Sequence, residues 1–214
     1  MEVAERLFAE RGIHGVSLRE IGVAAGQRNT GAARYHFGSK ESLVEAILEH
    51  RMVAINARRQ TMLAELAEPD LQGLTEAFVY PLSDQLGEVD HPSWYLRFVL
   101  QAVLVRGSAA TLEGDQPWTS GVKELRRQFV AALAGRGLPT GARQERWNLF
   151  AGFITHALAD REQMLQIAPD QILTRRLQFL THVVDAAVAL AGAPARPAKP
   201  DHRPNPAPHL RRPA

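Results

Sequence analysis

Apolar residues recur every three or four positions along most of this chain, the spacing that builds one buried face on an α-helix. The first such stripe is Val3, Ala4, Leu7 and Phe8, with Glu5, Arg6 and Glu10 on the other side, and it predicts a helix from Glu2 to Arg11 ended by Gly12. A second helix starts after Ser17, whose hydroxyl can cap the free amides while Glu20 reaches back to complete a capping box. Leu18, Ile21 and Ala25 share its face, and Gly26 stops it. Asn29 caps a short third helix, Thr30 to His36, closed by Phe37 and Gly38. Ser39 caps a long fourth that runs to about Glu65 and carries Leu43, Ile47, Leu48, Val53 and Met62. The core expected for this first unit is Leu7, Phe8, Ile13, Val16, Leu18, Ile21, Ala33, Phe37 and Leu43.

Beyond the break at Pro69-Asp70 the helical pattern continues. Helices are predicted from about Leu71 to Leu86, kinked at Pro81, and from His91-Pro92-Ser93 to near Gly107. Trp118 to Leu133 forms another, and Gly135-Arg136-Gly137-Leu138-Pro139 is a helix–helix connector. The last pair runs from about Ala142 to Ile167 and, after Pro169 with Asp170 as cap, from Gln171 onward. In that final segment Leu173, Leu177, Leu180, Val184 and Ala187 step by four and three, a short heptad seam. The two helices should form an antiparallel hairpin. The expected fold is all-α.

Composition narrows the function classes. The 214 residues suffice for a sizeable core. A mean hydropathy of −0.19, with no apolar run near the roughly 20 residues that span a bilayer, argues against membrane residence. With no cysteine, disulfides and thiolate metal sites are excluded. Met1 leads straight into helical sequence with no visible signal peptide, so a cytoplasmic protein is expected. The net charge of +2 is unevenly spread: residues 1–60 hold nine Lys/Arg against seven Asp/Glu, 61–193 eleven against fifteen, and 194–214 five against one. The last stretch also holds seven prolines and one large apolar residue, Leu210, so it should be disordered; a solvated linker is the favoured reading and a basic tail on DNA the alternative.

Two short helices across a tight turn, the second polar and cationic, describe a helix-turn-helix DNA reader. The residues that carry a family likeness are Ala4, Leu7-Phe8, Glu10-Arg11-Gly12, Gly15-Val16-Ser17, Ile21, Ala24-Ala25-Gly26, Gly31, Tyr35-His36-Phe37 and Ser39-Lys40-Glu41, ending at Leu43. In their order and spacing these fifty residues resemble the DNA-binding domain of the tetracycline-repressor (TetR) family of bacterial transcription regulators. Two features depart from the family pattern. Gln27 and Arg28 both precede Asn29, which lengthens the turn, and the first helix lacks the extra turn and basic arm that usually come before it. The short start suggests a truncated N-terminus or a misplaced initiator methionine.

A recognition helix presents short and polar side chains to base edges while its back holds the core. Thr30 and Ala32 allow close backbone approach, the Ala32 methyl suits a thymine methyl, and Arg34 can pair with guanine or with a phosphate. Tyr35, His36 and Lys40 suit phosphate contacts, as does Ser17 through its hydroxyl or its helix N-terminus. With Arg28 and Asn29 at the turn these complete the candidate DNA-binding set, within which the resemblance points most directly to Tyr35 and Lys40. Each has a plainer structural role open to it, as a core-edge aromatic, a packed histidine or a solvated lysine.

The resemblance implies a DNA-binding domain over residues 1–50, a helical effector-binding and dimerisation domain over 51–192, and a Pro-rich basic tail over 193–214. It implies a homodimer on a palindromic double-stranded operator and a small-molecule effector of unknown identity. Trp94, Phe98, Gln101, Trp118, Phe153 and His156 are the candidate ligand residues, Gln101 and His156 being polar groups within apolar helices. Trp147, Phe150, Ile154, Leu173, Leu177, Leu180 and Val184 are the candidate dimer interface, unless that seam merely fills the protomer core. No cofactor, metal or catalytic residue is expected: there is no G-x-S-x-G, H-E-x-x-H or P-loop, and the eight histidines are scattered. The expected function is a ligand-responsive repressor. The alternatives are a helical interaction protein that has lost DNA binding and an all-helical enzyme.

Overall fold

The computed structural model describes residues 1–27, 32–107, 111 and 114–194, the side chains of 32–34 excepted. These form nine α-helices: α1 Glu2–Arg11, α2 Leu18–Ala24, α3 Ala32–Phe37, α4 Lys40–Glu65, α5 Leu71–Ser83, α6 Tyr95–Arg106, α7 Ser120–Ala132, α8 Thr140–Ile167 and α9 Arg176–Gly192. Single 3₁₀ turns stand at Pro117–Thr119, Ala134–Arg136 and Pro169–Gln171. The described residues contain no strand. The tail expected to be disordered lies, from residue 195, outside the described residues.

Local chemistry sets the N-terminal boundaries. Gly12 and Gly26 sit at φ 75° and 69°, the left-handed region that a side chain disfavours, and there α1 and α2 end. The capping box at Ser17 is formed in full, and Ser39 accepts from the Ser42 amide at 3.1 Å to start α4. Leu7, Phe8, Ile13, Val16, Ile21 and Leu43 are buried as expected, with Leu18 and Phe37 packed at the edge. Ala33 lies outside the described side chains.

Further along, boundaries move for reasons that local sequence does not carry. Helix α5 ends at Ser83 rather than Leu86, where Gln85 and Leu86 donate to Leu82 and Ser83 at 3.0 Å in a tighter turn just after Pro81. Helix α6 begins at Tyr95 rather than near His91, because its cap comes from another helix. The Glu162 carboxylate of α8 accepts from the Leu96 and Arg97 amides at 3.1 and 3.0 Å. Helix α9 begins at Arg176, not Gln171: Asp170 sits inside a 3₁₀ turn, and Arg161 holds the subsequent linker by donating to the Thr174 carbonyl at 2.6 Å. Leu173 therefore lies before α9 and is 95% exposed.

The long helix α4 packs against α5, α7 and the turn at Pro117–Thr119, while α9 lies across α5 and α8. Their shared core is aromatic: Phe129 stands 4.5 Å from Phe150, and Phe78 is edge-on to Trp147 at 5.6 Å. Trp147, Phe150 and Ile154 are thus fully buried inside the protomer, as are Leu180 and Val184, which removes all five from the expected dimer interface. The apolar stripe read as an intersubunit seam fills the core instead, leaving Leu173 and Leu177 outside.

Helix α6 joins the body to the first helices. Phe98 stacks on Phe8 of α1 at 6.0 Å, Arg106 donates to Glu45 of α4 at 2.9 Å, and Arg97 pairs with Glu162 at 3.4 Å. Nearby, Glu5 of α1 is buried and held by both Nε and Nη2 of Arg51 at 3.1 and 3.0 Å. Close helix approach matters at one further point: a Cβ on Gly121 of α7 would stand 2.6 Å from Oδ1 of Asn56 on α4.

Burial raises the Glu162 pKa from 4.5 to about 7, against the pull of the Arg97 and Leu96 amides and the Arg97 charge. Between those values the native protein holds a proton that the unfolded chain has released, so stability falls as pH rises through that window, by up to about 1.4 kcal/mol per unit. Urea-unfolding midpoints measured across that window should show this slope, and Glu162→Gln should flatten it. An unchanged slope in the variant removes Glu162 as its source.

Candidate nucleic-acid interface

The helix-turn-helix presents one edge of α3 to solvent. Tyr35 is 87% exposed and His36 is exposed beside it, with their rings edge-on at 5.5 Å. Phe37, half-buried, anchors α3 to the core beneath, and His36 also borders an apolar cavity of about 190 Å³ lined by Ile21, Ala25, Phe37 and Leu43. A bulky aromatic so exposed gains nothing from folding, so its placement comes from the helix phase that Phe37 fixes. Arg28, Asn29 and Thr30 lie outside the described residues. Ala32 and Arg34 lie on α3, but their side chains are outside them too.

At the start of α2, Ser17 is exposed, yet its hydroxyl is occupied. It accepts from the Glu20 amide at 3.2 Å and donates to the Glu20 carboxylate at 2.7 Å, which also accepts from the Ser17 amide at 2.8 Å. Those bonds from Ser17 hold the Glu20 carboxyl below its usual range. A phosphate at Ser17 would meet a carboxylate whose charge is reinforced. Arg19, exposed one residue into the same helix, is a better-placed cation there, and the sequence reading missed it. Its signal was a cation in the first turn of a capped helix.

Lys40 does not point freely outward. Its ammonium donates to the carbonyls of Ile13 at 2.9 Å and Val16 at 3.0 Å, with His14 at 3.5 Å. It stitches the loop between α1 and α2 to the first turn of α4 and so fixes where α2 starts relative to α4. That is a positioning role within the reader.

Residues 1–47 match the family model described as bacterial regulatory proteins, tetR family. Over these residues the chain is therefore similar to the DNA-binding domain of that family. It is also similar to the HTH-type transcriptional repressor KstR2 of Mycobacterium tuberculosis, 36% identical over 76 residues, which is 35% of this chain and 38% of that protein. Against KstR2 of Rhodococcus jostii the identity is 46% over 48 residues, 22% of this chain and 23% of that one. The matched part spans well under half of each relative's length.

Outside the matched residues 1–47, the residues expected to gather around an effector stand in different surroundings. Phe98 is buried against Phe8, and Gln101 lies beside Gly12 at the α1–α6 contact. Trp94 edges an open, acidic cleft between α1 and the α5–α6 loop, with Arg6 over its ring at 6.0 Å. Trp118 is largely buried, and its carbonyl accepts from Asn56. Phe153 and His156 lie on the outer side of α8, half-buried and exposed, because Trp147, Phe150, Ile154 and Leu158 turn the opposite side inward. Trp94 and Trp118 border separate clefts. Among the described residues, no group of three His, Asp or Glu side chains is placed to hold a metal ion.

The two best-supported DNA candidates should separate experimentally. Lys40→Ala removes charged hydrogen bonds and should cost about 1–2 kcal/mol of stability, seen as a Tm fall of a few degrees. Tyr35→Ala should leave Tm unchanged. If both variants melt like the parent, the internal role of Lys40 is refuted.

Proposed function

We propose that this chain is a transcription regulator of repressor type that binds a palindromic operator as a homodimer and releases it when a small molecule binds the helical body. The observation that carries this reading is the exposed Tyr35–His36 edge, held on a helix whose other side is anchored in a packed TetR-like domain. An aromatic hydroxyl and an imidazole at the rim of a recognition helix suit phosphate contacts, which orient the helix while other positions read bases. The similar KstR2 proteins are named as transcriptional repressors, and TetR-family repressors are regulators rather than enzymes.

Dimerisation is supported by exposed apolar residues that keep Leu173 and Leu177 of the expected interface and add others on α8. Leu149, Ile167 and Leu177 are 62%, 67% and 74% exposed, Leu173 is more so, and Phe153 is half-buried among them. Leu149, Phe153, His156 and Ile167 fall on one stripe of α8, and Leu173 and Leu177 follow in the linker and the first turn of α9. A soluble protomer rarely leaves such a band open unless something covers it. A second copy would set two recognition helices about 34–36 Å apart, one helical turn of DNA.

Fluorescence anisotropy with the duplex immediately upstream of the gene should give saturable, salt-sensitive binding well above that for scrambled duplex. Tyr35→Ala should weaken binding to every sequence and lessen the salt slope, whereas Arg34→Ala should change sequence preference. Equal, weak binding to both duplexes by the parent protein counts against a sequence-specific regulator. Leu173→Glu combined with Leu177→Glu should leave helical circular dichroism intact, shift sedimentation from dimer to monomer and cut operator affinity by about 100-fold or more. A monomeric parent protein ends the dimer reading.

A further inference from the structure

The chain treats its buried charges consistently, with one exception. Glu5 is given both nitrogens of Arg51, and Glu162 is given two amides and Arg97. Arg59, on α4, is 1% exposed and has no carboxylate within ion-pair distance among the described residues. Its neighbours are neutral: Nε donates to the Ala77 carbonyl at 3.1 Å, Nη1 to the Asn56 amide oxygen, and the Phe78 ring lies 5.3 Å away. Burial lowers its pKa to about 10, which still leaves it charged at neutral pH. A buried charge is ordinarily paired, since leaving it alone forfeits solvation without return.

A second unmet demand stands in the same place. Tyr95 of α6 is fully buried, and its hydroxyl has no hydrogen-bond partner among the described residues. Arg59 and Tyr95 line one closed crevice at the centre of the helical body, whose other walls include Met52, Leu82, Val99 and Val122. The crevice has about 10 Å³ free, enough for one water at most. What it offers is specific: one positive charge, one phenolic donor, the Thr155 hydroxyl, already donating to the Ala151 carbonyl at 2.8 Å, and otherwise apolar walls.

We propose that this crevice is the closed form of the effector site, and that the effector is an apolar molecule ending in a carboxylate. The inference rests on the ligand-responsive reading above and adds the ligand's chemical class. A carboxylate has the single negative charge that Arg59 lacks and accepts from both a guanidinium and the Tyr95 hydroxyl. A doubly charged phosphate would be neutralised only in part. The location also supplies a route to DNA. The walls come from α4, α5, α6, α7 and α8, so a ligand that opens the crevice shifts these helices; α4 continues from the reader, and α6 packs on α1. Such a ligand acts on DNA affinity only through its preference for the opened arrangement.

The test is calorimetric titration of the full chain with octanoate, octan-1-ol and octyl phosphate, beside operator anisotropy on the same preparation. Arg59→Met and Tyr95→Phe are the variants, each near-isosteric and checked by circular dichroism. Octanoate should bind the parent protein saturably, and octan-1-ol and octyl phosphate on the order of tenfold more weakly. Arg59→Met should lose octanoate by at least about tenfold while keeping octan-1-ol, and Tyr95→Phe should lose octanoate by a smaller factor. Failure of octanoate to bind at millimolar concentration overturns the proposal. So does equal affinity for acid and alcohol, tighter binding of octyl phosphate, or unchanged octanoate affinity in Arg59→Met. DNA binding that persists through any of those outcomes leaves the regulator reading standing. Arg59-dependent octanoate binding without DNA binding leaves the site and removes the regulator.

Discussion

Helix α4 is the constraint on which the rest depends. It runs unbroken from Lys40 to Glu65, with neither proline nor glycine inside, so its two ends cannot turn independently. Lys40 at its start holds the loop before α2, and Arg59, near its other end, lies about 28 Å further along the axis. Everything between is anchored on one side by Leu43, Ile47, Met52 and Ile55. Displacement of the helix in the body is therefore displacement of the reader's base. A two-domain protein joined by a loop would lack this coupling.

A second support prevents α4 from acting alone. Helix α1 belongs to the reader, yet Phe8 stacks on Phe98 of the body, and Glu5 is buried against Arg51. Helix α6, the element they meet, is itself started by a carboxylate from α8. The reader thus rests on two legs, one continuous and one packed. Packed interfaces switch between discrete arrangements more readily than covalent helices stretch, which makes the α1–α6 contact the softer leg.

The sequence disclosed the first helices well because their signals are local. Ser17 and Glu20 lie three residues apart, Gly12 and Gly26 stop helices wherever they stand, and Ser39 caps the long helix directly after it. It disclosed the body less well where the deciding partner is distant. Glu162 lies 66 residues from the Leu96 amide it caps, so no window around His91 contains the reason α6 starts at Tyr95. The three-and-four spacing of Trp147, Phe150 and Ile154 states that one face of α8 is apolar, but not whether a protomer or a partner covers it. The same limit applied to Lys40: as a cation after a recognition helix it suggested phosphate, and only three-dimensional placement brings the Ile13 and Val16 carbonyls to it. Arg59 was silent for the opposite reason, since an arginine within a long helix looks solvated until its surroundings are known.

Gly121 has a consequence that reaches beyond its own helix. The space a side chain would fill there is taken by Asn56, whose amide bridges the Trp118 carbonyl and the Arg59 guanidinium. The absent methyl therefore acts as a spacer gauge between α7 and α4. Among the positions of this chain, it is one where tolerance to substitution should be as narrow as at the buried tryptophan, although it contributes no side chain to any core. What selection would preserve at such a site is a distance.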